Sequence, residues 1–79
     1  MLRKPQLRLV VTFPTTAEAL KTEQAARAQG VEGRLIPVPR QISAGCGLAW
    51  SGPPETEPAL RAVLERAKVE TEQVLTLTI

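Results

Sequence analysis

Residues 7–30 read LRLVVTFPTTAEALKTEQAARAQG, and this stretch decides the fold of the first half of the chain. Its opening, Leu7–Phe13, is rich in β-branched and aromatic side chains, with apolar residues on one parity, which predicts a strand. Pro14 ends that strand. A helix is expected to follow it directly, which gives the first two elements of a β-α-β unit.

The helix in this stretch is marked at both ends. Thr15 can cap its first turn and Glu18 can reach back to the cap, an arrangement known as a capping box. The helix is expected to run to about Gln29 and to stop at Gly30. The face predicted to point inward carries Ala19, Leu20, Glu23, Ala26 and Arg27.

The rest of the chain predicts four more elements. These are a strand at Gly33–Val38, a strand at Gly47–Ser51, a helix from about Thr56 or Glu57 with its apolar face at Leu60, Val63, Leu64 and Ala67, and a strand at Val74–Ile79. Pro37 has no amide hydrogen to give to a ladder, so its strand belongs at a sheet edge. Pro58 falls in the first turn of the second helix, where that loss costs little.

The order β-α-β-β-α-β predicts an α+β, ferredoxin-like sandwich in a single domain spanning residues 1–79. Right-handed crossovers in both halves give a four-stranded antiparallel sheet with two helices on one face, strands one and three at the centre and strands two and four at the edges. The other face has no helix to cover it. We expect that open face to serve a homodimer or a ligand.

Composition excludes several kinds of chemistry. The 79 residues have a formal net charge of +2, one Cys, and no His, Asp, Asn or Tyr, so Cys-His and Ser-His pairs cannot form within the chain. The glycines fit no phosphate-binding pattern, and we expect no cofactor and no metal. Charges are dispersed, and no signal peptide or membrane span is visible, so we expect no nucleic-acid partner, no membrane partner and a cytoplasmic location.

Cys46 is the residue on which covalent chemistry would depend. It follows a loop predicted at Pro39–Gly45, and Gly45 and Gly47 flank it, so a partner could approach closely. A reactive thiol must ionise, and Arg40 is the nearest charge that could stabilise the anion, with Arg34 or loop amides as further sources. We expect the C-termini of both helices at this end of the sandwich, where their dipoles would not help.

Each of these residues also has a structural interpretation. Cys46 can be a small buried apolar residue, and Arg40 a solvated loop charge. Glu23 either pairs with Arg27 one turn along the helix or anchors a loop or ligand. Trp50 either fills the core under the second helix or, with a bulge at Gly47, lies on the open face beside Phe13. Two aromatic residues make a poor nucleic-acid platform in either case.

The sequence resembles the selenium/sulfur (Se/S) carrier-like family of small bacterial proteins over roughly residues 9–75. The resemblance is carried by the Phe13-Pro14-Thr15 turn, by Ala19, Leu20 and Glu23, by Arg34-Leu35-Ile36-Pro37-Val38-Pro39-Arg40, and by Ile42-Ser43 leading to Cys46-Gly47-Leu48-Ala49. The run P-x-P-R-x-I-S-x-x-C-G is the most specific part.

This resemblance implies a carrier of reduced sulfur or selenium rather than a self-sufficient enzyme. Cys46 would hold a persulfide or its selenium equivalent, with Arg40, Ser43, Gly45, Gly47 and Glu23 in support, and the partners would be a sulfur or selenium donor protein and an acceptor protein. The alternative is a non-enzymatic regulatory or assembly module that uses the open face for dimerisation or small-ligand binding, with an inert cysteine.

Overall fold

A computed structural model describes residues 4–42 and 47–79. The elements in chain order are β1 (Leu7–Thr12), α1 (Thr16–Ala28), β2 (Arg34–Pro37), β3 (Leu48–Gly52), a short 3-10 turn (Pro54–Thr56), α2 (Glu57–Arg66) and β4 (Gln73–Thr78). The predicted order is confirmed. Each boundary lies within about two residues of its predicted position, the usual disagreement at element ends.

The four strands form one antiparallel sheet in the order β2-β3-β1-β4. This is the ferredoxin-like arrangement expected from the sequence, with β1 and β3 at the centre. Pro37 closes β2 at the sheet edge, where its missing amide hydrogen leaves no gap in the ladder.

The core lies between the helices and one face of the sheet. Leu35, Trp50, Val11 and Val74 lie opposite one another and form a row across all four strands on that face. The buried cluster consists of Leu9, Val11, Phe13, Ala19, Ala26, Trp50, Leu60 and Leu64. Leu60, Val63 and Leu64 of α2 are buried as predicted.

Trp50 fills the core, as the first of its two interpretations expected. The side chain is fully buried, and its register with Val11 runs through β3 without the bulge that the open-face alternative required. The indole Nε1 has no hydrogen-bond partner among residues 4–42 and 47–79. The ring lies against Gly33 and Gly52, where a Cβ atom would come within 1.9 Å and 2.4 Å of indole carbons, so both positions need glycine.

The inward face of α1 differs from the prediction. Ala19 and Ala26 are buried as expected, but Thr22 is the third buried residue and Leu20 is 47% exposed. Thr22 can be buried because its hydroxyl donates to the Glu18 carbonyl oxygen at 3.0 Å, which satisfies the polar group. Small residues therefore line this face, and Leu20 is turned toward solvent.

Candidate functional site

The loop that joins β2 to β3 runs from Val38 to Gly47, at the end of the sheet where β2 ends and β3 begins. We call this the loop end of the sheet. The two sides of the loop are held together by the Val38 amide, which donates to the Gly47 carbonyl oxygen at 3.1 Å. A turn follows Pro39, closed by the Ile42 amide donating to the Pro39 oxygen at 3.1 Å, and Arg40 is exposed in it. Ser43, Gly45 and Cys46 lie outside the described residues.

Gly47 closes this loop in a left-handed conformation. Its φ is +75°, and a Cβ atom there would meet nothing within 4 Å. The glycine is therefore needed for the backbone conformation and not for space, since L-residues other than Gly pay for positive φ. The sequence interpretation of Gly47 as a residue that permits a tight turn agrees with this geometry.

The expectation about the helix dipoles at this end of the sandwich was wrong. β1 and β2 are each antiparallel to β3, so both run toward the end where the β2–β3 loop lies. Because α1 follows β1 directly, α1 begins at this end, while α2 ends here before β4. The partial positive charge of one helix N-terminus and the partial negative charge of one helix C-terminus therefore meet at the loop end.

Hydrogen bonds tie the end of β1 and the start of α1 to the segment that leads into β4. The Thr15 hydroxyl accepts from the Glu18 amide at 3.4 Å, which is the first half of the predicted capping box. The second half is absent, because a Glu18 carboxylate oxygen accepts instead from the Glu70 amide at 2.6 Å. The Glu72 amide donates to the Thr12 carbonyl oxygen at 2.8 Å. These bonds fix both chain junctions next to the loop end of the sheet.

At this end of the sheet, folding lowers the pKa of the Glu18 carboxyl. The hydrogen bond from the Glu70 amide is the main cause that lowers the pKa of the Glu18 carboxyl, and Lys21, whose Nζ lies 3.2 Å from it, contributes further. The opposing effect of desolvation is smaller. A carboxylate in the first turn also interacts favourably with the helix N-terminus.

The other predicted supporting residues lie at different distances from the loop. Glu23 is partly buried and lies 3.9 Å from Arg27 Nη2, which is the helical ion pair of the first interpretation. Arg34 begins β2, three residues before the loop end of that strand, so it lies about 10 Å from Pro37 along the strand. Arg40 has no ion pair within 4 Å among the described residues and remains the nearest described cation in sequence to Cys46.

Sequence reasoning missed two features of the open face. The Arg8 Nε donates to the Ser51 hydroxyl at 3.3 Å, and Ser51 lies directly opposite Arg34. Arg8 has the opposite parity to Leu9 and Val11 and so lies on the open face, but only the register between strands shows that Arg34 lies on the other side of Ser51 from it.

Residues 4–42 and 47–79 contain neither a membrane-spanning helix nor a cluster of metal ligands. Neither helix in this part of the chain is long and apolar enough to cross a membrane. The same residues contain no group of three or more Cys, Asp or Glu side chains that could hold a metal ion.

The fold and the loop define a small α+β protein of the ferredoxin-like class. A family model described as "Putative Se/S carrier protein-like" matches residues 8–76. The chain belongs to this family, which confirms the resemblance seen in the sequence. A search of curated proteins and a search of solved structures found no match.

Proposed function

We propose that this protein carries reduced sulfur or selenium on Cys46 between a donor protein and an acceptor protein. The family match over residues 8–76 is the observation that supports this most strongly. The presence of a single cysteine also fits a carrier, since a second thiol nearby would resolve a persulfide into a disulfide.

The geometry adds a second line of support. The segments that carry the resemblance are far apart in sequence, yet the Phe13-Pro14-Thr15 turn and both ends of the β2–β3 loop lie at the same end of the sheet, because Thr12 and Ile36 both pair with Ala49. Cys46 is the residue before Gly47 in the sequence. A shared function at one site would explain why these segments belong to one sequence pattern.

The transfer itself needs no oxidant or cofactor. The Cys46 thiolate attacks the terminal sulfur of a donor persulfide, the donor's S–S bond breaks, and the donor leaves as a thiolate. The product is a Cys46 persulfide, from which an acceptor nucleophile later takes the outer sulfur while Cys46 leaves as a thiolate. Selenium would follow the same sequence of bond changes.

Such a step depends on a thiolate, and two described features favour negative charge near the loop. Arg40 is an exposed cation in the loop turn, and α1 directs its N-terminus to this end of the sandwich. Glu18 and the end of α2 act in the opposite direction. We therefore assign Arg40 the role of stabilising the thiolate or the persulfide anion.

The first experiment measures the alkylation rate of Cys46 across pH by intact mass, in native protein and in denaturant. We expect native alkylation at least as fast as in the unfolded chain, with an inflection below about 8.5, the value of an unperturbed thiol. The native protein is then incubated with inorganic polysulfide, and one added sulfur atom that dithiothreitol removes is the expected product.

Two variants make the result specific. Cys46→Ser should take up no sulfur. Arg40→Gln should move the inflection to higher pH, whereas Lys4→Gln, which removes one positive charge ahead of β1 at the opposite end of the sheet, should not. Protection of Cys46 in the native state would refute the carrier proposal and favour the regulatory or assembly module, in which Cys46→Ser keeps every function.

A further inference from the structure

The open face of the sheet contains a groove of about 300 Å³. It is lined by Arg8, Arg34, Ile36, Ser51 and Ile79, which come from all four strands or the residue that follows them. This volume is at the lower end of the range for small-molecule sites. The groove therefore suits a small ligand.

The two arginines give the groove its chemistry. The Arg8 guanidinium is held by the Ser51 hydroxyl at 3.3 Å, and Ser51 is itself only 3% exposed. This bond uses Nε and leaves the terminal nitrogens of Arg8 to donate elsewhere. Arg34 lies opposite Ser51 on the neighbouring strand. The two arginines thus line the same groove from strands on either side of Ser51.

No acid within the described part of the chain neutralises this pair. None of the side chains that the described strands place on the open face is a carboxylate. Glu32 lines an adjacent pocket with Gly33 and both arginines, but it forms no ion pair within 4 Å with either of them. An anion entering the groove would therefore meet two guanidinium groups that form no ion pair within 4 Å with any described acidic side chain.

The remaining surface of the groove is apolar. Ile36 and Ile79 line it beside the arginines, and Leu75 and Leu77 of β4 are half-buried on the same face. A bare inorganic anion would leave this apolar part unused. A second copy of this chain fits poorly, since a two-fold contact centred on the groove would bring guanidinium groups against one another.

We propose that this groove binds a small organic oxyanion, a carboxylate or a phosphate on a short aliphatic chain. The oxyanion accepts hydrogen bonds from Arg8 and Arg34, and the aliphatic part lies against Ile36 and Ile79. None of the described residues of the β2–β3 loop lines this groove, and the proposal does not depend on the carrier function. The Cys46→Ser variant should therefore bind the ligand unchanged, even if the carrier proposal fails.

Titration of the full chain with hexanoate, hexyl phosphate, hexanol and inorganic phosphate, followed by backbone amide NMR, tests the proposal. We expect saturable shifts for hexanoate or hexyl phosphate at Val10, Arg34 and Ser51, and the stronger of the two identifies the head group. Hexanol should bind at least about tenfold more weakly, since it lacks the charge that strengthens the hydrogen bonds.

Matched variants separate a specific site from general charge attraction. Arg34→Gln should weaken binding about tenfold, while Arg66→Gln, with the same net charge but on α2, should change it less than about twofold. Ile36→Thr should weaken hexanoate and leave phosphate unaffected. The proposal is overturned if the shifts saturate with neither hexanoate nor hexyl phosphate, or if Arg34→Gln and Arg66→Gln weaken binding equally. It is also overturned if inorganic phosphate binds as well as hexyl phosphate, or if the amide shifts occur in the cysteine loop.

Discussion

The Trp50 ring packs against Gly33 and Gly52, so we expect the effects of substitutions at Trp50 and Gly52 on the free energy of unfolding to be coupled. At Gly52, a Cβ atom would lie 2.4 Å from an indole carbon and 2.7 Å from the Glu32 carbonyl oxygen. The first distance is roughly 1 Å short of an ordinary carbon contact. The indole cannot move away easily, because it is fully buried in the core.

Gly52→Ala should therefore destabilise the protein by about 2 kcal/mol, the middle of the range for overpacking a core. The smaller entropy of the unfolded Ala chain offsets only part of this. In a Trp50→Leu background the ring is gone but the conflict with the Glu32 backbone oxygen remains, so the same change should cost at least about 1 kcal/mol less than in the wild type. The expected coupling energy is thus at least about 1 kcal/mol.

Urea unfolding followed by far-UV circular dichroism measures all four proteins, since Trp50 is the only tryptophan and cannot serve as the probe in every variant. Gly30→Ala is the control. Gly30 has φ +72° and nothing within 4 Å of a Cβ position, so its cost of about 1 kcal/mol is purely conformational and should be equal in both backgrounds. If Gly52→Ala costs the same in the wild-type and the Trp50→Leu backgrounds, the carbonyl oxygen and not the indole sets the cost, and the reasoning is refuted.

Three further predictions concern stability. Glu18→Gln should destabilise the protein at neutral pH. Because folding lowers the pKa of the Glu18 carboxyl from 4.5, the difference in stability between wild type and variant should disappear as the pH falls below that value. Thermal unfolding at several pH values measures this, and an equal difference at low pH would contradict it. Leu60→Ala should cost about 2 to 5 kcal/mol in urea unfolding, since Leu60 is fully buried, and a cost below about 1 kcal/mol would contradict its place in the core. Glu23→Gln should cost less than about 0.5 kcal/mol, because its partner Arg27 is largely exposed, and a larger loss would show that Glu23 has another role.

The fold could be predicted because its local signals agree with one another. Thr15 and Gly30 mark the ends of α1, Pro37 marks an edge strand, and the alternating apolar residues mark the strands. Once the element order was known, handedness left one arrangement of the strands.

The features that were missed depend on contacts between distant parts of the chain. A hydrogen bond within α1 allows Thr22 to be buried, but the way the helix packs on the sheet determines that Thr22 faces the core and Leu20 faces solvent. The Glu18 carboxylate accepts a hydrogen bond from the Glu70 amide, 52 residues away, instead of completing the cap of its own helix. The position of the α1 N-terminus could have been deduced from the topology, since a helix that follows a strand begins where that strand ends.

The central position of β1 has a consequence for how the chain folds. β1 pairs with β4, and the Thr12 hydroxyl accepts from the Gln73 amide, 61 residues later. Closing so long a segment costs entropy before any of these contacts form, and such high contact order slows folding. The junction that holds the start of α1 at the loop end of the sheet is therefore completed only when the last strand joins the sheet, so a nascent chain lacking β4 would not yet have that junction.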